Sequence, residues 1–282
     1  MDAILLCMKK KGIRFFGSIR FPNTNIARFY EKTGFLGLLR SRRSNYDNVL
    51  IMAHGYDDSI LTTTRDPGHP YRRYIGCDDV GAFENNFIFA VSCLTANTFG
   101  KKCIERGSIA YLGYQVEISC LFSADPNPES CIPGSVITNI STLIKHIFIE
   151  SLSKSYEEFL QNPISVKVLR MRFSFEVEKR LSMILEMTPK EIHERYNIKL
   201  NERHHTAYTT NLILKTIEHL DEVLPRLVCI GDENYISSTF IRFRKEEGLS
   251  GEDILRELEH NQSFIDLQHE KYKAFLKELA VS

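Results

Sequence analysis

The sequence predicts an α/β fold, a mostly parallel sheet flanked by helices, with a helical C-terminal region. Three observations carry this expectation. VLIMA over 49–53 and FIFAVS over 87–92 are near-continuous apolar runs, the pattern of central parallel strands buried on both faces. Residues 1–124 alternate β-type runs with connections. Beyond a Pro-rich stretch, DPNPESCIPG over 125–134, the periodicity is helical to the end. The organisation expected is an α/β domain over 1–134 and a helical region over 135–282 that packs on it.

The elements follow in order. Ala3–Met8, Ile13–Ile19, Val49–Ala53, Phe87–Ser92 and Ser108–Gln115 read as strands. Asn25–Leu39 has apolar residues at Ile26, Phe29, Tyr30, Phe35 and Leu36, spacing that suits a helix over one sheet face, with Gly34 and Gly37 able to shorten it. Ile60–Thr64 and Tyr71–Ile75 flank RDPGHP over 65–70, a hairpin signal with Pro and Gly in its turn. Thr188-Pro189-Lys190-Glu191 carries the N-cap, the Pro at the first helical position and the Glu at the third that start a helix. A long apolar pattern from Tyr208 to Ile230 is expected to be helical, kinked or broken at Pro225 and stopped at Gly231. A last helix is expected from near Ser250. Its Leu255, Leu258, Gln262, Ile265, His269, Tyr272, Leu276 and Leu279 form one seam of alternating steps of 3 and 4.

Composition narrows the function. Hydrophobic residues make up 43% of the 282, enough for a sizeable core. Lys plus Arg and Asp plus Glu both number 36, which argues against a general nucleic-acid or anionic-membrane binder. The basic RSRRS over 40–44 is short and reads as a solvated loop. The 7 cysteines are irregularly spaced, with no CxxC pair and no zinc-ligand spacing. Reduced thiols in a cytoplasmic protein, with no metal and no cofactor, are therefore expected. No run approaches the ~18 apolar residues of a membrane span, and the lysines of MDAILLCMKKKG follow its apolar run, the wrong order for a secretory signal.

Chemistry points to two residues. VLIMA is followed by His54-Gly55, and FIFAVS by Cys93. Reactive groups collect at the carboxyl ends of strands in an open parallel sheet, and neighbouring strands lie about 4.8 Å apart. A Cys at one strand end and a His at the next supply a thiolate that attacks a carbonyl and an imidazole that moves the proton. Gly55, lacking a Cβ, can bring its N–H close to a developing oxyanion. The remaining cysteines read as structural: Cys103 on the buried side of a following helix, Cys77 in the loop before the Cys93 strand, and Cys120 and Cys131 with no His near in sequence.

An apolar block ending in His-Gly followed by an apolar block ending in Ser-Cys resembles the clan of cysteine proteases that includes caspases, gingipains, separases and CHAT-domain proteases. The text from Ser92 to Tyr114, SCLTANTFGKKCIERGSIAYLGY, is closest in pattern to the gingipain and CHAT branches. The resemblance spans roughly residues 45–120. It implies a caspase-like α/β catalytic domain and cysteine endopeptidase activity on a protein or peptide. Cys93 is then the nucleophile, His54 the general acid/base, and the Gly55 and Cys93 amides the oxyanion donors. It also implies that Cys93 opens a helix, with Thr95, Ala96 and Asn97 in its first turn, so that the helix dipole favours the thiolate.

In this clan the specificity pocket forms near the dyad and after the strand following the nucleophile. There this chain has Asp125, Glu129 and Glu117, with Asp57 and Asp58 at the mouth. Asp125 leads the pocket candidates, and a carboxylate there would favour cleavage after Arg or Lys. Arg65, Arg72 and Arg73 in the hairpin would invert that preference if one lined the pocket. A regulatory protein partner acting through the helical region is a further expectation. Two alternatives stand beside the protease. One is a catalytically inactive caspase-like scaffold for protein–protein interaction. The other is an α/β-hydrolase-type esterase, suggested by His54-Gly55-Tyr56-Asp57-Asp58-Ser59 and opposed by the absence of a Gly-x-Ser-x-Gly elbow.

Overall fold

In a computed structural model of the chain, residues 3–7, 18–22, 24, 26–41, 47–63, 71–118, 134–198, 221–254, 256, 259 and 260 are described. The fold is α/β, with a mostly parallel six-stranded sheet flanked by helices. Its strands are β1 (Ala3–Cys7), β2 (Ile26–Phe29), β3 (Asn48–Met52), β7 (Phe87–Val91), β8 (Ala110–Tyr114) and β9 (Leu227–Gly231), in spatial order β2-β1-β3-β7-β8-β9. All neighbouring pairs are parallel except β8 with the edge strand β9. Sheet growth reverses between β1 and β3, so β3 stands at the topological switch where ligands collect.

The two apolar runs fill the centre as expected. Every residue of β1, β3, β7 and β8 is buried. Alternation then decides which helices each side chain meets. Phe87 and Phe89 point to α3 (Gly134–Gln161) and α4 (Val166–Leu185), with Phe87 against Phe159 at 5.0 Å and Phe89 against Phe173 at 6.2 Å between ring centroids. On the opposite face Tyr111 meets Phe99 of α2 (Phe99–Glu105). Phe99 packs on Phe83 of a 3-10 segment (Cys77–Phe83), and Phe83 on Phe35 of α1 (Lys32–Arg40). The helix start at Thr188 is as read: α5 (Pro189–Tyr196) opens on a capping box in which the Thr188 hydroxyl accepts from the Glu191 amide and the Glu191 carboxylate accepts from the Thr188 amide.

The hairpin also forms. β5 (Ser59–Thr63) pairs antiparallel with β6 (Tyr71–Gly76), and β4 (His54–Tyr56) joins them as a separate three-stranded sheet. The turn between β5 and β6 lies outside the described residues, as do residues 13–17 of the expected strand Ile13–Ile19.

Two expectations are corrected. Asn25–Leu39 is not one helix: Ile26–Phe29 pairs with β1 as an edge strand, and the helix begins at Lys32. The open edge of β1 offers four residues a ladder that outweighs helical spacing. The apolar pattern ending at Ile230 is not helical where described beyond Arg226. Pro225 sits in a 3-10 turn (Leu224–Arg226), and the β-branched run after it supplies β9, which covers the edge of β8. Gly231 ends that strand at φ +91, with a would-be Cβ 2.6 Å from the Ile109 carbonyl oxygen. The segments before and after residue 134 share one core. One hydrophobic cluster runs from Ala3 to Leu227, and buried Asn48 at the start of β3 donates to the Ser237 and Thr239 hydroxyls. The terminal seam from Leu255 to Leu279 falls outside the described residues. A capping box at Ser250 and Asp253 opens the helix that begins it.

Candidate active site

His54 and Cys93 occupy matching positions. β3 and β7 are adjacent, parallel and in register, Met52 opposite Val91. Each residue lies two positions beyond its strand's last residue. Two hydrogen bonds extend the pairing past the strand ends. The Ala53 amide donates to the Val91 carbonyl at 3.4 Å, and the buried Ser92 hydroxyl donates to the Ala53 carbonyl at 2.9 Å. Parallel pairing thus delivers the imidazole and the thiol to the same carboxyl edge of the sheet.

Gly55 sits where a side chain does not fit. A Cβ there would lie 2.5 Å from the Cys93 carbonyl oxygen, 2.7 Å from the Thr95 methyl and 2.8 Å from the Ser92 Cβ. The His-bearing backbone therefore lies directly against the Cys-bearing turn. That turn is held in an unusual conformation, because Leu94, a non-glycine residue, has φ +60. Left-handed backbone costs such a residue on the order of 1–2 kcal/mol and persists where surrounding contacts impose it. Here the contacts are visible. The Leu94 amide donates to the Val116 carbonyl, the Ala96 amide to the Tyr114 carbonyl and the Asn97 side chain to the Gln115 carbonyl.

These bonds correct the expectation that Cys93 opens a helix. The amides of residues 94 and 96 pair with the chain leaving β8, and α2 begins only at Phe99. Thr95, Ala96 and Asn97 belong to the turn, not to a first helical turn. Cys93 is 9% exposed, and its sulfur accepts from the Ile118 amide at 3.4 Å. Ile118, itself buried, follows Glu117, which is exposed. Glu117 is thus a carboxylate-bearing residue one peptide bond from the group that touches the thiol. Asp125 and Glu129 lie outside the described residues.

Asp57 has a different set of partners. Its carbonyl accepts from the Thr98 and Phe99 amides, and its carboxylate accepts from the Thr98 hydroxyl. It braces the β4–β5 turn against the start of α2, where a negative charge is also favoured by the helix dipole. Asp58 pairs with Arg73. Sequence reasoning passed over Tyr71, whose ring centroid is 4.8 Å from that of His54. The hairpin signal placed Tyr71 on a strand, but only the strand register shows that its ring reaches His54.

Three other described thiols, those of Cys77, Cys103 and Cys229, are poorly suited to attack. Burial raises the thiol of Cys77, with a further push from the Asp58 carboxylate, and the Cys77 sulfur donates to the Asp58 carbonyl at 3.3 Å. Burial raises Cys103, fully enclosed in α2, and pushes Cys229 up to about 11. Such groups stay protonated near neutral pH. The described cysteines Cys7, Cys77, Cys93, Cys103 and Cys229 form no disulfide. No cluster of three or more His, Cys, Asp or Glu able to hold a metal exists among the described residues, and no helix among them is long and apolar enough to cross a membrane. No family model matches the chain, and no curated protein matches it.

Proposed function

We propose that the chain is a cysteine endopeptidase with Cys93 as nucleophile and His54 as general acid/base. The observation that carries the reading is the paired placement of the two residues, each two positions past the end of adjacent strands in parallel register. His54 takes the Cys93 proton, and the sulfur attacks the scissile carbonyl. The Gly55 and Cys93 amides receive the oxyanion. His54 then gives the proton to the leaving amine, and water hydrolyses the thioester. Cleavage after Arg or Lys is supported by Glu117, beside the amide that touches the Cys93 sulfur. Asp125 and Glu129 remain candidates on the segment that follows.

The shallow exposure of Cys93 supports a switched enzyme, in which the strip at Val116–Ile118 shifts when substrate or a partner protein engages. The same burial favours a second reading, an inactive scaffold that keeps the fold for protein binding. Peptide-library cleavage and an activity-based thiol probe on wild type, Cys93→Ala and His54→Ala test both. The protease reading expects cleavage and Cys93 labelling in wild type, neither in Cys93→Ala, and loss of at least 10²-fold in His54→Ala, all three melting alike. Wild-type cleavage in either variant would overturn it. No labelling with or without candidate partners would establish the scaffold.

A further inference from the structure

Tyr71 is the first residue of β6, an edge strand of the three-stranded sheet, and it is 47% exposed. Core burial therefore does not explain a large aromatic there. Its ring meets the His54 ring at 4.8 Å between centroids with planes 57° apart. The registers explain how the contact crosses a strand. His54 is opposite Leu61, Leu61 opposite Arg73, and Thr63 opposite Tyr71. Residues directly opposite, and residues two apart on one strand, share a face. His54, Leu61 and Tyr71 therefore lie on one face, and the tyrosine ring reaches over β5 to the imidazole.

His54 opens a strand of only three residues, directly after the bend at Ala53. We infer that Tyr71 is a positioning residue for His54: its ring restricts the imidazole rotamer and, through its negative face, favours the imidazolium that pairs with the Cys93 thiolate. The inference rests on the reading of His54 and Cys93 as a dyad. The ionisable groups around His54 fit this role. Among the described residues, Arg73 on the same face is paired with Asp58, the Asp57 carboxylate is held by Thr98, Tyr56 lies on β4, and Cys93 comes from the turn after β7. The aromatic ring is thus an uncharged lever on the imidazole.

A contact of this kind shifts the imidazole–imidazolium balance about threefold, or about half a pH unit. The test uses the full chain and needs no known substrate. Iodoacetamide alkylation of Cys93 is followed by site-resolved mass spectrometry from pH 5 to 9 in wild type, Tyr71→Phe, Tyr71→Leu, Tyr71→Ala and His54→Ala. Tyr71→Phe should retain the wild-type profile. Tyr71→Leu and Tyr71→Ala should lower the rate at pH 7 about threefold and raise the profile midpoint by about half a unit. On a cleavable peptide they should lower kcat with little change in KM. Tyr71→Leu keeps the apolar bulk, so it carries the test if Tyr71→Ala is less stable. A leucine variant indistinguishable from the phenylalanine variant overturns the inference. So does slowed alkylation in His54→Ala with none in either Tyr71→Leu or Tyr71→Ala, and that result leaves the dyad standing. Cys93 alkylation unaffected in His54→Ala overturns the dyad reading and the inference with it.

Discussion

Gly55→Ala is the sharpest single perturbation of the site. It adds one methyl group and no charge, and Gly55 is not at positive φ, so the effect is steric alone. The new Cβ would meet the Cys93 carbonyl oxygen at 2.5 Å, the Thr95 methyl at 2.7 Å and the Ser92 Cβ at 2.8 Å. Ordinary contact needs at least 3.4 Å, so β4 and the Cys turn must separate by close to an ångström. None of the three atoms is the end of a flexible side chain, and Ser92 and Thr95 are buried. Overpacking of this kind costs about 1–3 kcal/mol. A displacement of about 1 Å between catalytic groups costs on the order of 10²-fold in rate. The variant should therefore melt a few degrees below wild type and lose on the order of 10²-fold in kcat/KM. Urea unfolding and peptide cleavage measure the two effects separately. Wild-type stability together with wild-type turnover would show that the two backbones do not meet as described.

Glu117→Gln should weaken any preference for Arg or Lys before the scissile bond by about tenfold. An unchanged preference places the determinant on Asp125, Glu129 or elsewhere. Asp79→Asn probes a partly buried carboxylate that accepts from Lys32 at 2.7 Å and from the Gly76 amide at 3.1 Å. Burial alone would raise its pKa, but these bonds and the Lys32 and Arg40 charges hold it below the ordinary value. The stabilisation is therefore present at neutral pH and lost as pH falls through that lowered value. The variant should cost on the order of 1 kcal/mol at pH 7, with the gap to wild type closing below about pH 4 in urea titrations. A fragment of residues 1–134 loses α3, α4 and β9, and should show no cooperative thermal transition by circular dichroism. A sharp transition would refute the shared core.

The central sheet was legible because its strands announce themselves twice, by unbroken apolar runs and by the turn signals around them. Phe87–Val91 and Asn48–Met52 could hardly be anything but buried strands. The edges were harder. Ile26–Phe29 is half-buried throughout and carries an arginine, so its pattern fits a helix face as well as an edge strand. Only the open hydrogen-bonding edge of β1, a distant partner, decides between them. β9 presents the same problem from the other end of the chain. Its partner β8 is more than a hundred residues away, and no local window contains the reason Leu227–Gly231 is extended.

The site divides along the same line. The paired placement of His54 and Cys93 was visible because each residue is appended to a strong strand signal, and parallel pairing of those strands does the rest. The turn after Cys93 was not visible, since its shape is set by pairing with residues 114–116, after the next strand. That pairing imposes a left-handed Leu94, which no propensity would suggest, and delays the helix to Phe99. The consequence is chemical. A thiol at a helix N-terminus has its thiolate favoured by oriented amides, but here the amides of residues 94 and 96 point to carbonyls of the neighbouring segment. In the proposed mechanism, thiolate formation at Cys93 therefore falls less to the helix and more to His54. The role proposed for Tyr71, the half-exposed tyrosine reaching across a strand to the imidazole, correspondingly matters more than it would beside a helix-activated cysteine.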